Sequence, residues 1–246
     1  MWDSLIWVAL ALLVSAAFSL GSQRMRVPRD PTRERPQDAD ASEAYDLVSR
    51  WPLFALQRHM VLRRLIGLDV QGTVVDIGCG PGHLTHLVAR RFPGVSVIGI
   101  DNNEHMLRLA TKNRGHSGCP NLRFCLGDAH QLPLGDGEVD FVLSSLSLHH
   151  WGKPARALQE IRRVLRPGGW LLLFDLSRDC RRFFYYSLRL GQGLAPRAIR
   201  NTDGAVGSFW ASYTRAELEA LLFSAGFGCW SVEAQPGWMF ARGFKE

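Results

Sequence analysis

Two carboxylates stand where short apolar runs end, and three glycines stand just upstream of them. Asp101 closes the run 95–100, about 20 residues past Gly82, where a carboxylate can accept hydrogen bonds from both hydroxyls of a ribose. Glu104 follows three residues later, so Asp101 also suits a helix N-cap, and the two roles are compatible. Asp128, in Gly127-Asp128-Ala129 after the run 122–126, could accept from an adenine amino group. Gly78, Gly80 and Gly82, spaced two apart, permit positive φ and let a ligand approach the backbone. His149 and His150 follow the run 139–144, and either imidazole could act as a general base or orient a substrate oxygen.

Val74, Val75 and Ile77 suit a strand buried on both faces, and they run directly into the glycines. Leu84, Leu87, Val88 and Arg91 then mark a helical face that ends before Pro93-Gly94. Runs 95–100, 122–126, 139–144 and 170–176 read as further strands. A helix is expected over 154–165, with Leu158, Ile161 and Leu165 inward, and Arg166-Pro167-Gly168-Gly169 turns it into the next strand. Strands alternating with helices give a parallel sheet, whose ligands sit at the carboxyl ends of the strands. Residues 42–68 predict two short helices separated at Pro52, with Leu53, Leu56 and Met60 in a stripe. They either cover the glycine loop, bringing Tyr45 and Trp51 near a ligand, or pack simply on the sheet. Near the end, Thr214 and Glu217 predict a capping box. Residues 229–233 and 238–244, joined by Pro236-Gly237, predict a hairpin.

The amino-terminal stretch 5–20 has no charged residue, and residues 1–22 are expected to form a single membrane anchor of borderline length, with a cleaved signal peptide or a soluble or surface-lying helix as the alternatives. Arg24, Arg26, Arg29, Arg33 and Arg35 follow it with no Lys or Arg before it, which predicts that the following domain faces the cytosol. Pro28, Pro31 and Pro36 among charged and small residues predict a flexible linker over 23–41, with Asp30, Glu34, Asp38 and Asp40 diluting its positive field. The net charge of +6 is modest and does not by itself argue for nucleic acid. Five cysteines without C-x-x-C spacing favour reduced thiols and no metal framework.

With its ordered motifs, residues 74–82, Asp101, residues 127–129, residues 144–151 and residues 165–169, the chain strongly resembles the class I S-adenosylmethionine-dependent methyltransferases. The resemblance is to the type 11 group that includes the ubiquinone/menaquinone C-methyltransferases, and it spans roughly residues 45–245. It implies a Rossmann-like, seven-stranded, mostly parallel α/β sheet with an antiparallel last strand and helices on both faces, here within a domain over 42–246. It implies S-adenosyl-L-methionine as cofactor, contacted by Asp76, Gly78, Cys79, Gly80, Gly82, Asp101, Asn102, Met106, Asp128, Ala129 and Ser144. Cys79 is expected to serve structurally as a small residue inside the loop. An antiparallel final strand argues against a nicotinamide dehydrogenase. Ser144-Ser145-Leu146-Ser147-Leu148-His149-His150-Trp151 lacks the motifs of nucleic-acid methyltransferases, so no nucleic-acid partner is expected. The acceptor is expected to be a small molecule or lipid, selected by the insertion 178–213, which interleaves six arginines with aromatics. That insertion reads either as a basic amphipathic helix on a membrane surface or as a lid with its arginines in water.

Overall fold

The computed structural model describes residues 21–33, 38–114, 119–202 and 204–246. Its centre is a sheet of β1 (Thr73–Ile77), β2 (Ser96–Asp101), β3 (Leu122–Leu126), β4 (Val139–Ser145), β5 (Leu165–Leu176), β6 (Cys229–Ala234) and β7 (Trp238–Phe244), in the order β3-β2-β1-β4-β5-β7-β6. β1 to β5 pair in parallel, while β7 lies between β5 and β6 and runs antiparallel to both. The expected seven-stranded, Rossmann-like mixed sheet is therefore present. Strand five starts earlier than expected, because Leu165 pairs with Val139 across an irregularity that takes up the Pro-Gly-Gly turn.

Side chains of a strand alternate between faces, and the sheet accordingly builds two cores. Val75, Ile77, Ile100, Val142 and Leu173 face α5 (Pro154–Val164) and α9 (Arg215–Ser224), which contribute Leu158, Ile161, Leu218 and Leu222. Val74, Val97, Phe141 and Leu143 face α2 (Pro52–Ile66) and α3 (His83–Arg91), through Val61, Leu65, Leu84 and Val88. The Thr214–Glu217 capping box forms as expected. Remaining helices are α1 (Ala39–Ser49), α4 (Glu104–Arg114) and, within the insertion, α6 (Arg182–Leu194), α7 (Arg197–Asn201) and α8 (Gly204–Ala211). No helix among the described residues is long and apolar enough to cross a membrane, and the anchor expected over 1–22 lies, up to residue 20, outside the described residues.

The flexible linker expected over 23–41 needs correction. Residues 24–33 form a strap docked on the insertion. Met25 N–H donates to the Cys180 carbonyl at 2.7 Å and Asp30 N–H to the Trp210 carbonyl at 2.9 Å. Met25 and Val27 pack into a satellite cluster with Cys180, Tyr185 and Phe209. Arg29 donates through Nε to the Ala211 carbonyl at 2.6 Å and lies 4.3 Å above the Tyr213 ring. These apolar and backbone contacts outweigh the solvation that proline and charge density suggested. α1 then starts at Ala39, capped by the Asp38 carboxylate, within the span assigned to the linker. Arg178 departs from both readings of the insertion, which put its arginines at a membrane surface or in water. It is buried and donates to Glu217 at 2.6 Å, to the Ser212 carbonyl at 2.9 Å and to the Val27 carbonyl at 2.9 Å.

Candidate active site

β1 ends where the glycines begin, and its neighbour β2 holds the loop in place. Gly78 and Cys79 donate to the Ile100 carbonyl at 2.8 and 3.1 Å. Gly80 N–H donates to Asp101 Oδ2 at 2.8 Å, and Asn103 N–H to Asp101 Oδ1 at 2.9 Å. Asp101 thus fixes both the glycine loop and the entry to α4, while a carboxylate has lone pairs for further donors. The three glycines divide by purpose. A Cβ on Gly78 would fall 2.0 Å from Ser147 Oγ, and one on Gly82 would fall 2.8 Å from Phe124 Cζ, so both allow close packing within the protein. Gly80, at φ +52°, meets only the Tyr45 ring, 3.9 Å away, and leaves a cradle above the loop.

Tyr45 reaches this cradle from α1, and burial pushes its phenol up to about 12. α1 is itself latched to the loop: buried Asp46 accepts from His83 Nε2 at 2.8 Å and from Asn113 at 2.8 Å, while Asn113 also donates to the Pro81 carbonyl at 3.0 Å. Of the two readings of residues 42–68, covering the loop is therefore the one observed for Tyr45, whereas Trp51 is exposed. Asp76 is buried, accepts from Thr85 Oγ1 at 2.7 Å, and is raised by that burial to about 7. Cys79 is buried beside Asp76 and Asp101, and burial first, then those carboxylates, push its thiol far up, so it stays protonated and unreactive.

Asp76, Asp101 and Asp128 belong to three adjacent strands or their ends, because β1, β2 and β3 are neighbours. With strands about 4.8 Å apart, this edge spans on the order of 10 Å, the width of a nucleoside with a side arm. Burial raises the Asp101 carboxyl, opposed by the N–H groups of Asn103 and Gly80 and by nearby His150. Asp128 is more exposed and is held below the usual carboxylate range by the backbone N–H and ring of His130. Of the other expected contacts, Met106 and Ala129 are buried and Asn102 is exposed. Ser144 buries a hydroxyl with no hydrogen-bond partner among the described residues.

The two histidines separate clearly. His149 is buried, with Nδ1 2.6 Å from Asp175 Oδ1 and its backbone N–H donating to Asp175 Oδ2 at 3.1 Å. That pairing fixes the loop after β4, and it argues against His149 as a mobile base. His150 is exposed, its ring centroid 4.2 Å from that of His149. Asp175 was not singled out from the sequence, although a lone acid inside the apolar run 170–176 was the available signal.

An open cradle at Gly80, an acid tethered to it and a capping phenol fit an adenosine-containing ligand with a flexible arm. The sequence itself matches the family described as methyltransferase domain over residues 75–173. Residues 75–173 thus carry a methyltransferase domain. The chain is similar to malonyl-[acyl-carrier protein] O-methyltransferase of Methylococcus capsulatus, 35% identical over 135 residues, which cover 53% of this chain and 46% of that protein. It is also similar to demethylmenaquinone methyltransferase of Thermotoga maritima, 30% identical over 138 residues, covering 55% and 58% respectively. Its fold matches a crystal structure of a SAM-dependent methyltransferase from Aquifex aeolicus, with a TM-score of 0.62 at 20% identity over 85% of this chain and 98% of that one. The chain spans about half the length of the curated relatives it matches first.

Proposed function

We propose that this protein transfers a methyl group from S-adenosylmethionine to a small, lipophilic acceptor beside a membrane. The observation that carries the reading is the Gly80 cradle, open between Asp101 and Tyr45. When bound, the cofactor supplies an already activated methyl on its sulfonium. Asp101 would hold the ribose hydroxyls and Asp128 the adenine amino group. The backbone of residues 78–82 would follow the methionine arm, with Asp76 beneath it. Tyr45 and α1 exclude water from the reacting face, and alignment supplies most of the rate. His150, exposed beside Asp101, is the side chain placed to take a proton from an acceptor that carries one. His149 would position that loop through Asp175. Phe54, edge-on to Tyr45 with ring centroids 6.2 Å apart, brings an apolar ring toward the cradle and supports an apolar acceptor. The two curated relatives are named for quite different acceptors, so the acceptor of this chain follows from its own rim. The uncharged stretch 5–20 and the arginines after it support a membrane anchor with the domain in the cytosol.

Calorimetric titration of the full chain with S-adenosylmethionine or S-adenosylhomocysteine tests the foundation, and absence of saturable heat would overturn it. Incubation with methyl-labelled cofactor and membrane extract then separates transferase from inactive scaffold, through a labelled lipid or small molecule. Asp101→Ala should weaken cofactor binding by about 1.5–3 kcal/mol, since a charge-assisted acceptor is lost. An unchanged dissociation constant would reject the ribose role.

A further inference from the structure

α6 buries one face and leaves the other bare. Tyr185, Phe184 and Leu188 pack toward α8 and the strap, whereas Phe183, Tyr186, Leu190 and Leu194 are 58%, 60%, 72% and 75% exposed. Spacings of three, four and four residues place these four on a single helical stripe. Residues 180–202 contain five arginines and no carboxylate, and Asp179 just before them pairs with Arg24 at 3.3 Å. The described chain begins against the same stripe, since a Cβ on Gly21 would fall 3.3 Å from Phe183 Cβ, and the uncharged stretch 5–20 immediately precedes it. Beside the amino end of α6 lies a cavity of about 480 Å³ lined by Gln23, Arg24, Met25, Arg26, Val27 and Arg182, so three guanidinium groups border one hollow.

We propose that the stripe Phe183, Tyr186, Leu190 and Leu194, bordered by Arg24, Arg26, Arg182 and Arg189, is the face on which the domain rests against an anionic lipid bilayer. Apolar side chains enter the boundary between headgroups and acyl chains, and the arginines meet headgroup phosphates. Charge decides between occupants: a second copy would bring the same arginines against one another, and the uncharged stretch 5–20 offers them no anion. α6 begins just past the carboxyl end of β5, on the edge of the sheet that carries the glycine loop. Docking therefore turns the rim of the active site toward the lipid. Membrane contact does not depend on the methyl-transfer reading, since lipid quenching and cofactor heat are read separately.

The test uses the full chain carrying Cys229→Ser, which removes the exposed thiol, and an environment-sensitive dye on Leu190→Cys or, as control, on Phe223→Cys of α9. Both are reconstituted with vesicles of phosphatidylcholine alone or with phosphatidylglycerol, each containing nitroxide-labelled lipid. In anionic vesicles the dye at 190 should lose roughly half its emission, as for a group seated about 5–10 Å into the interface, while the dye at 223 does not. Arg182→Glu should restore the emission at 190. A dye at 190 that is unquenched, or shifted to the blue without quenching because protein covers it, would overturn the proposal. So would equal quenching in neutral and anionic vesicles.

Discussion

Asp175→Ala should destabilise the fold by roughly 3 kcal/mol, because two buried N–H groups and a half-buried one lose their acceptor at about 1–3 kcal/mol for each buried group, with incomplete additivity. These are the His149 backbone and ring groups and the Leu176 N–H, 2.7 Å from Asp175 Oδ1. Asp175→Asn keeps one acceptor oxygen and should fall between the two. Urea unfolding of the full chain reads the effect as a lower midpoint at unchanged slope. A loss below about 1 kcal/mol would mean that the loop tolerates unpaired groups. The consequence would extend past stability, since the His149 carbonyl also receives Arg29 of the strap at 3.4 Å.

The contribution of Asp76 to stability should fall as pH rises. Burial raises its folded pKa to about 7 from 3.8, so its contribution is fully present below pH 3.8 and is lost as pH climbs through 7. At roughly 1.4 kcal/mol per unit the loss approaches about 4 kcal/mol, an upper figure because the loop can relax. Asp76→Asn, neutral at every pH and still able to accept from Thr85, removes this dependence. Compared with wild type, the variant should gain relative stability between pH 5 and pH 8 in chemical denaturation. A gap that stays constant across that interval would contradict the assignment.

Where local chemistry and global fold agree, the sequence was easy to read. Val74, Val75 and Ile77 read as a buried strand, and Thr214 with Glu217 closes a capping box whose spacing is local, although Arg178 also holds the Glu217 carboxylate. Asp101 was legible because its spacing from the glycines follows from one helix and one strand. Gly78 and Gly82 also make room for Ser147 and Phe124, residues that periodicity cannot bring near. The strap was illegible for the same reason. Proline and charge describe how a segment behaves in water, whereas Met25, Val27 and Arg29 act through surfaces 150 or more residues away. His149 and His150 are adjacent in sequence, and only Asp175 distinguishes the buried ring from the exposed one.

The position of β7 has a consequence for synthesis. β6 leaves the ribosome first but has no partner in the sheet except β7, which itself completes β5. Until residues 238–244 emerge, β5 presents an open edge made of Leu171, Leu172, Leu173 and Phe174, and β6 has nowhere to go. A nascent chain halted before Trp238 therefore exposes an apolar strand edge of the kind that recruits chaperones or a neighbouring chain.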